Sequence, residues 1–235
     1  MNQTPTPLVR IEGLIKTYGK TRALHGLNLD IAPGRIIGLV GENGCGKTTL
    51  MKILAGVLAE WQGRVEINGR APGPETKAEI AFLPCADFLD TSLNAEKAIA
   101  LYERFFADFD ADKARRTIDY FGLPKDRTLK EMSRGMGQKL QIALVMARRA
   151  RLYVLDEPIS GVDPAARDII LEGILRDFDP DSSMLLSTHL ISDVEPILDE
   201  VIMLKEGRLL LAGNADDLRD EHGMSLDQLF RKEYR

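Results

Sequence analysis

Between Val40 and Leu50 the chain reads GENGCGKTT, which sets Gly41, Gly46, Lys47 and Thr48 at the G-x-x-x-x-G-K-[ST] spacing of a phosphate-binding loop. Each residue type has a physical task in that pattern. Glycines let the backbone of Asn43, Gly44, Cys45 and Thr49 curl so that successive N–H groups point at phosphate oxygens. A helix opening at the loop adds the positive end of its dipole. Lys47 brings a point charge to the β- and γ-phosphates, and the Thr48 hydroxyl suits a magnesium ion. Cys45 lies in the same loop beside Lys47 and at a helix start, an environment that lowers a thiol pKa. A reactive Cys45, alkylated with loss of activity and protected by nucleotide, is the expectation.

Three further segments carry candidate chemistry. LYVLDEP, from Leu152 to Pro158, is a buried-type strand ending in two carboxylates, at the edge where open α/β sheets bind ligands. Asp156 suits Mg²⁺ held through water, and Glu157 suits a general base toward an attacking water. His189, in STH, reaches the same kind of edge; it either meets a γ-phosphate or is a satisfied surface histidine. His25 and His222 lack that placement. In EMSRGMGQ, Ser133 caps a helix and Gly135 leaves backbone N–H groups uncovered, a second anion site at a helix start. One loop already cradles its own phosphates. The second site therefore makes most sense facing the nucleotide of another chain, which implies a dimer, the alternative being a plain helix cap.

Those residues need a sheet to hold them. Across residues 8–31 short apolar runs broken by Gly13, Gly19 and Gly26 read as antiparallel strands, and Pro33-Gly34 turns into a buried-type strand at 36–40. A helix through Leu50, Ile53 and Leu54 follows the glycine loop. Short strands are expected at 64–67 and 78–83. Residues 94–121 turn helical with a break at 108–112, and a third helix runs over about 135–149, with no strand between them. Strand 152–155, helix 164–177, strand 184–187, helix 190–198 and strand 201–204 then alternate, which implies a largely parallel core. The fold class expected is α/β: a P-loop NTPase core with a mainly parallel sheet, an antiparallel β subdomain and an inserted α-helical subdomain. Residues 1–235 form one domain in this reading. Its core with the β arm takes 8–83 and 150–215, the helical subdomain 84–149, and a tail of two short helices 216–235.

With these segments in this order, the chain resembles an ATP-binding subunit of an ABC transporter over essentially its whole length. GENGCGKTT matches the Walker A motif, EMSRGMGQ the signature, LYVLDEP the Walker B motif, SGVD the D-loop and His189 the switch histidine. The resemblance implies a sandwich in which one chain's loop and the other's Ser133 and Gly135 enclose each MgATP. It also implies that Tyr18 stacks on adenine, as aromatic faces do on bases, unless its ring is used for packing. Asp163 looks like the D-loop acid, and before Pro164 it is equally a helix N-cap. SRGM with DEPISGVDPAARD is most similar to bacterial cassettes of the bacitracin-export and Ytr type. Two positions depart from the pattern. Cys85, in LPCAD, stands where the family has glutamine, with Asp87 as a substitute or a plain loop acid; Arg134 and Met136 replace glycine and glutamine of the commoner signature. A thiol does not donate and accept as an amide does.

Composition narrows the partners. With 235 residues, 44% hydrophobic and 29% charged, the chain can bury a full core. A net charge of −5 and a pI near 5.4 supply no global basic field, so nucleic acid is not an expected partner. Two cysteines make no disulfide framework, which points to the cytosol. The start, MNQTPTPLVR, has neither the basic nor the apolar region of a signal peptide, and no apolar run approaches the roughly 18 residues of a membrane span. The expected setting is the inner face of the cell membrane, reached through separate transmembrane permease subunits, with a second ATPase chain, identical or paralogous, as the other partner. Export is the leading reading; an ABC ATPase acting on ribosomes or nucleic acid is the alternative.

Overall fold

Val9–Tyr18 (β1) and Thr21–Ile31 (β2) pair antiparallel, and Ile36–Val40 (β3) follows the Pro33-Gly34 turn. The computed structural model describes residues 6–234, so the first half of the segment read for a signal peptide lies outside the described residues. After Lys47–Leu54 (α1), Gln62–Ile67 (β4) returns to the other side of β1, which makes a three-stranded antiparallel sheet in the order β2-β1-β4. Pro74–Ala78 (α2) precedes Ile80–Leu83 (β5). Ala78, expected to open that strand, instead ends a helical turn begun by Pro74 at its first position, where proline's missing N–H costs nothing.

Three helices follow: Ala95–Phe105 (α3), Ala111–Tyr120 (α4) and Arg134–Met146 (α5). Asn94, Asp110 and Ser133 cap them, each side-chain oxygen accepting a backbone N–H three residues on. Leu152–Asp156 (β6) then pairs parallel with β5, so all three helices fall in sequence between direct neighbours of the sheet. Pro164–Asp177 (α6), Ser183–Thr188 (β7), Ile191–Val194 (α7), Glu200–Lys205 (β8), Arg208–Asn214 (β9), Ala215–His222 (α8) and Leu226–Glu233 (α9) complete the chain. The helix expected over 190–198 is shorter, because Pro196 turns it into the 3₁₀ segment Glu195–Ile197.

The central sheet has the order β5-β6-β7-β3-β8-β9, parallel throughout except for β9. That edge strand was not anticipated. Its signal is Glu206-Gly207 between apolar runs, where both residues take positive φ (50° and 71°), as a tight type I′ hairpin requires. Period-2 alternation divides the core between the two faces of the sheet. Leu152, Val154, Leu185, Ile202, Ile37 and Leu39 pack with α1 and the antiparallel arm. Tyr153, Leu155, Met184, Leu186, Val201 and Met203 pack with the helices of the other face. Covering on both faces leaves the carboxyl ends of β3, β6 and β7 as the open edge. Among the described residues no helix is long and apolar enough to cross a membrane.

Candidate nucleotide site

At that edge the chain leaves β3 at Val40, bends through residues 41–46 and enters α1 at Lys47. Gly46 closes the bend with φ 108°, and a Cβ there would lie 2.8 Å from Leu24 Cδ2 and 2.9 Å from the Ala23 carbonyl oxygen. Gly41 is as constrained, since a Cβ would meet Cys45 Sγ at 2.4 Å and the Leu204 carbonyl oxygen at 2.5 Å. Glycine is therefore required at both positions, by conformation at one and by close approach at both. Lys47 is buried, and its ammonium donates to the carbonyl oxygens of Gly41 (2.6 Å) and Glu42 (3.2 Å). The same ammonium stands 3.9 Å from Glu157 Oε1.

Asp156 and Glu157 end β6 as expected. Asp156 is fully buried; its Oδ1 accepts from Ser187 Oγ at 2.7 Å, and its Oδ2 has no hydrogen-bond partner among the described residues. A buried carboxylate oxygen without a partner is costly unless something outside the chain completes it. Glu157 holds the left-handed conformation (φ 53°), unusual for a residue with a side chain and worth about 1–3 kcal/mol of strain. Its N–H donates to Ser187 Oγ (2.9 Å) and to the Ser187 carbonyl (3.2 Å), which fixes the bend. Ser187 thus positions both acids, a role its sequence context alone does not reveal; the available signal is a polar residue, the first of STH, near the end of a buried-type strand. His189 Nδ1 lies 2.9 Å from Glu157 Oε2, so this histidine is joined to the acid rather than satisfied elsewhere on the surface.

A cleft of about 340 Å³ brings Asn43, Gly44, Gly46, Lys47, Thr48 and Thr49 together with Glu157 and His189. Ala23, Cys85 and Ser160 line it as well. Thr48 and Asp156 offer hydroxyl and carboxylate oxygens, the hard donors that Mg²⁺ takes, and the orphaned Asp156 Oδ2 fits such an ion.

Tyr18, Gly41, Cys45, Ser133, Gly135 and the fully buried Asp156 do not line the cleft. Tyr18 is 45% exposed, with the Lys16 ammonium 5.2 Å from its ring centroid, so packing does not consume it. Gly41 and Cys45, at either end of the loop, are buried and face the core. The expectation of a reactive Cys45 is overturned: its side chain is buried, and burial outweighs the Lys47 charge and pushes the thiol pKa up. The dipole and lysine arguments hold in sign, but desolvation of a thiolate is the larger effect. Cys85 is exposed in the cleft, and partial burial followed by the charges of Asp156 and Glu157 raises its pKa too.

Ser133 and Gly135 stand at the start of α5, outside the lining of the cleft. Ser133 Oγ accepts from Met136 N at 3.3 Å, and a Cβ on Gly135 would meet nothing within 4 Å. The Arg134 guanidinium lies against Gly161 of the SGVD loop, where a Cβ would come within 3.1–3.2 Å of it. Asp163 Oδ1 accepts from Ala166 N at 3.1 Å, so the helix-capping reading holds. Asp87 is an anchored loop acid: Gln141, buried in α5, donates to it at 2.7 Å and accepts from Phe88 N at 3.2 Å.

Comparison with known proteins agrees with this geometry. The family model described as ABC transporter matches residues 24–160, more than half of the chain. The Nod factor export ATP-binding protein I of Ralstonia nicotianae is 29% identical over 221 residues, which cover 91% of this chain and 69% of that protein. The ABC transporter ATP-binding protein YtrB of Bacillus subtilis is 25% identical over 218 residues, covering 92% and 75% respectively, in keeping with the Ytr-type resemblance. The solved structure of an ATP-binding subunit of an ABC transporter has a TM-score of 0.85 at 29% identity and spans 97% of this chain and all of its own. With a phosphate loop, the buried Asp156, the cleft-lining Glu157 and His189 meeting at one sheet edge, and with these relatives, the chain belongs to the ABC transporter family of ATP-binding, ATP-hydrolysing subunits.

Proposed function

We propose that this chain drives an export-type ABC transporter, hydrolysing MgATP at the cleft described above while a second ATPase chain closes over it. The observation that carries the reading is the convergence of Lys47, Glu157 and His189 on one cleft, beside an orphaned Asp156 oxygen. Phosphoryl transfer to water needs positioning and charge stabilisation more than covalent chemistry. The loop amides and Lys47 hold the β- and γ-phosphates. Glu157, bent toward the cleft by Ser187, accepts a hydrogen bond from the attacking water and takes its proton. His189 keeps Glu157 oriented through the 2.9 Å contact and reaches the γ-phosphate. Thr48 and Asp156 would hold Mg²⁺, which neutralises charge on the phosphates when bound. Tyr18, half exposed, stacks on adenine.

Ser133 and Gly135 complete the other half of the site in trans. Their position outside the chain's own cleft, with open space at Gly135, supports that assignment. Residues 84–149 act as the helical subdomain carrying this signature. Separate permease subunits place the pair on the inner face of the cell membrane, and export accords with the relative whose name states it. The net charge of −5 speaks against the ribosome or nucleic-acid alternative. Phosphate release from MgATP with no acceptor present is the direct test. Release that depends on Glu157 supports the proposal, and its absence in the intact chain would end it.

A further inference from the structure

The C-terminal helix ends against the back of the phosphate loop. Tyr234, one residue past α9, donates its hydroxyl to the Leu204 carbonyl at the end of β8. The same hydroxyl would lie 3.1 Å from a Cβ on Gly41, so it stands directly behind the first glycine of the loop. Burial, with Cys45 and Glu42 nearby, pushes the phenol pKa up and keeps it a neutral donor. Two more contacts tie helix, hairpin and loop together. Lys205 Nζ donates to the Glu233 carbonyl at 2.8 Å and rides 5.3 Å from the Tyr234 ring centroid. Gly207, in the same hairpin, donates its N–H to the Cys45 carbonyl at 2.9 Å.

The other end of α9 is fixed to the segment that follows α7. Glu195 accepts the N–H groups of Leu226 (2.9 Å) and Asp227 (3.3 Å) and pairs with Arg219 at 3.3 Å. Glu195 directly follows α7, the short helix that begins two residues after His189. A single helix of eight residues therefore links the segment that follows α7 to the segment behind Gly41.

We infer that α9 is a strut for the phosphate loop and that Tyr234 is its positioning residue, holding the Gly41–Cys45 bend in the shape that receives the β- and γ-phosphates. The tyrosine touches no phosphate. Its effect falls on how well the loop is preorganised, hence on nucleotide affinity more than on the chemical step. This rests on the loop binding MgATP, as proposed above. Wild-type binding tests that premise separately from the strut.

The experiment compares wild type, Tyr234→Phe and Tyr234→Ala in equilibrium MgATP binding, in kcat and KM, and in N-ethylmaleimide labelling of Cys45 mapped by mass spectrometry. Tyr234→Ala is expected to weaken binding and raise KM about tenfold, with kcat changed less than about twofold, and to speed Cys45 labelling by a similar factor. Tyr234→Phe, which loses only the hydroxyl, should weaken binding about fivefold, the scale of one neutral hydrogen bond. Faster labelling at an unchanged melting temperature separates a displaced loop from a merely weaker fold. If Tyr234→Ala melts without cooperativity, Tyr234→Phe decides alone. Wild-type affinity with Cys45 still protected in the deciding variant overturns the strut, whereas a wild type that does not bind MgATP overturns the nucleotide reading itself.

Discussion

The phosphate loop and the signature segment are both helix starts that offer backbone N–H groups, yet the structure treats them in opposite ways. Around the loop, internal partners fix the main functional groups: Lys47 on two carbonyls, Glu157 on Ser187 and His189, and Gly46 wedged against Ala23 and Leu24. Around Ser133 and Gly135 the partners are few and the space is open. The first region is preorganised by its own core. The second uses the Met136 N–H for its own cap and leaves open space at Gly135 among the described residues, as the proposed shared site requires.

The largest effect that would test this contrast comes from the preorganised half. Glu157→Gln keeps shape and loses the base, so turnover should fall about 10²–10⁴-fold while MgATP binding persists. Size-exclusion chromatography with saturating MgATP should then show a trapped dimer; normal hydrolysis by the variant removes Glu157 as the base. Lys47→Ala comes next. Losing a charged hydrogen-bond donor should weaken nucleotide binding about 10–100-fold, read by equilibrium titration.

A matched pair of alanines sharpens the comparison. Gly46→Ala forces a Cβ to within 3 Å of backbone at φ 108°, so the chain should lose roughly 1–3 kcal/mol of stability in denaturant melts. Gly135→Ala meets open space in a helix and should leave the melt unchanged or raise it by up to about 1 kcal/mol. Gly135→Asp sets a carboxylate at the same open position, where it should repel a facing phosphate. With ordinary binding by the single chain, turnover should drop about tenfold or more. Equal turnover would show that the signature faces solvent.

Local patterns made most of this architecture readable before any coordinates. The loop spacing, the strand ending in Asp156-Glu157 and the caps Ser133 and Asp163 all act over a few residues, so residue type predicts geometry. What was missed depends on partners distant in sequence. Ser187 gains its role only because β7 lies beside β6. β9 is held by pairing with β8 while most of its residues stay exposed, so its apolar run from Leu209 to Ala212 shows no alternation of polar and apolar positions. Cys45 was misjudged for the same reason: its loop context favours the thiolate, but Leu204 and Tyr234, reaching it from elsewhere in the chain, bury it.

The two thiols offer the mildest test, because they report one on each side of the loop. Cys45 lies behind it, buried; Cys85 lies in front, exposed in the cleft. N-ethylmaleimide should therefore label Cys85 several-fold faster than Cys45 in the intact chain, and MgATP should protect Cys85, the thiol it covers. Both thiols are held protonated in the fold, so their labelling should keep rising with pH past the ordinary thiol value, where a free cysteine levels off. Linkage gives the accompanying sign. The folded chain keeps these protons after the unfolded chain has released them, so the stability they contribute is present below the ordinary thiol value and is lost as pH rises through the raised one. Labelling that is faster at Cys45 than at Cys85, or that levels at the ordinary value, would mean that the loop's rear face is open to solvent and that the preorganised half is looser than its contacts imply.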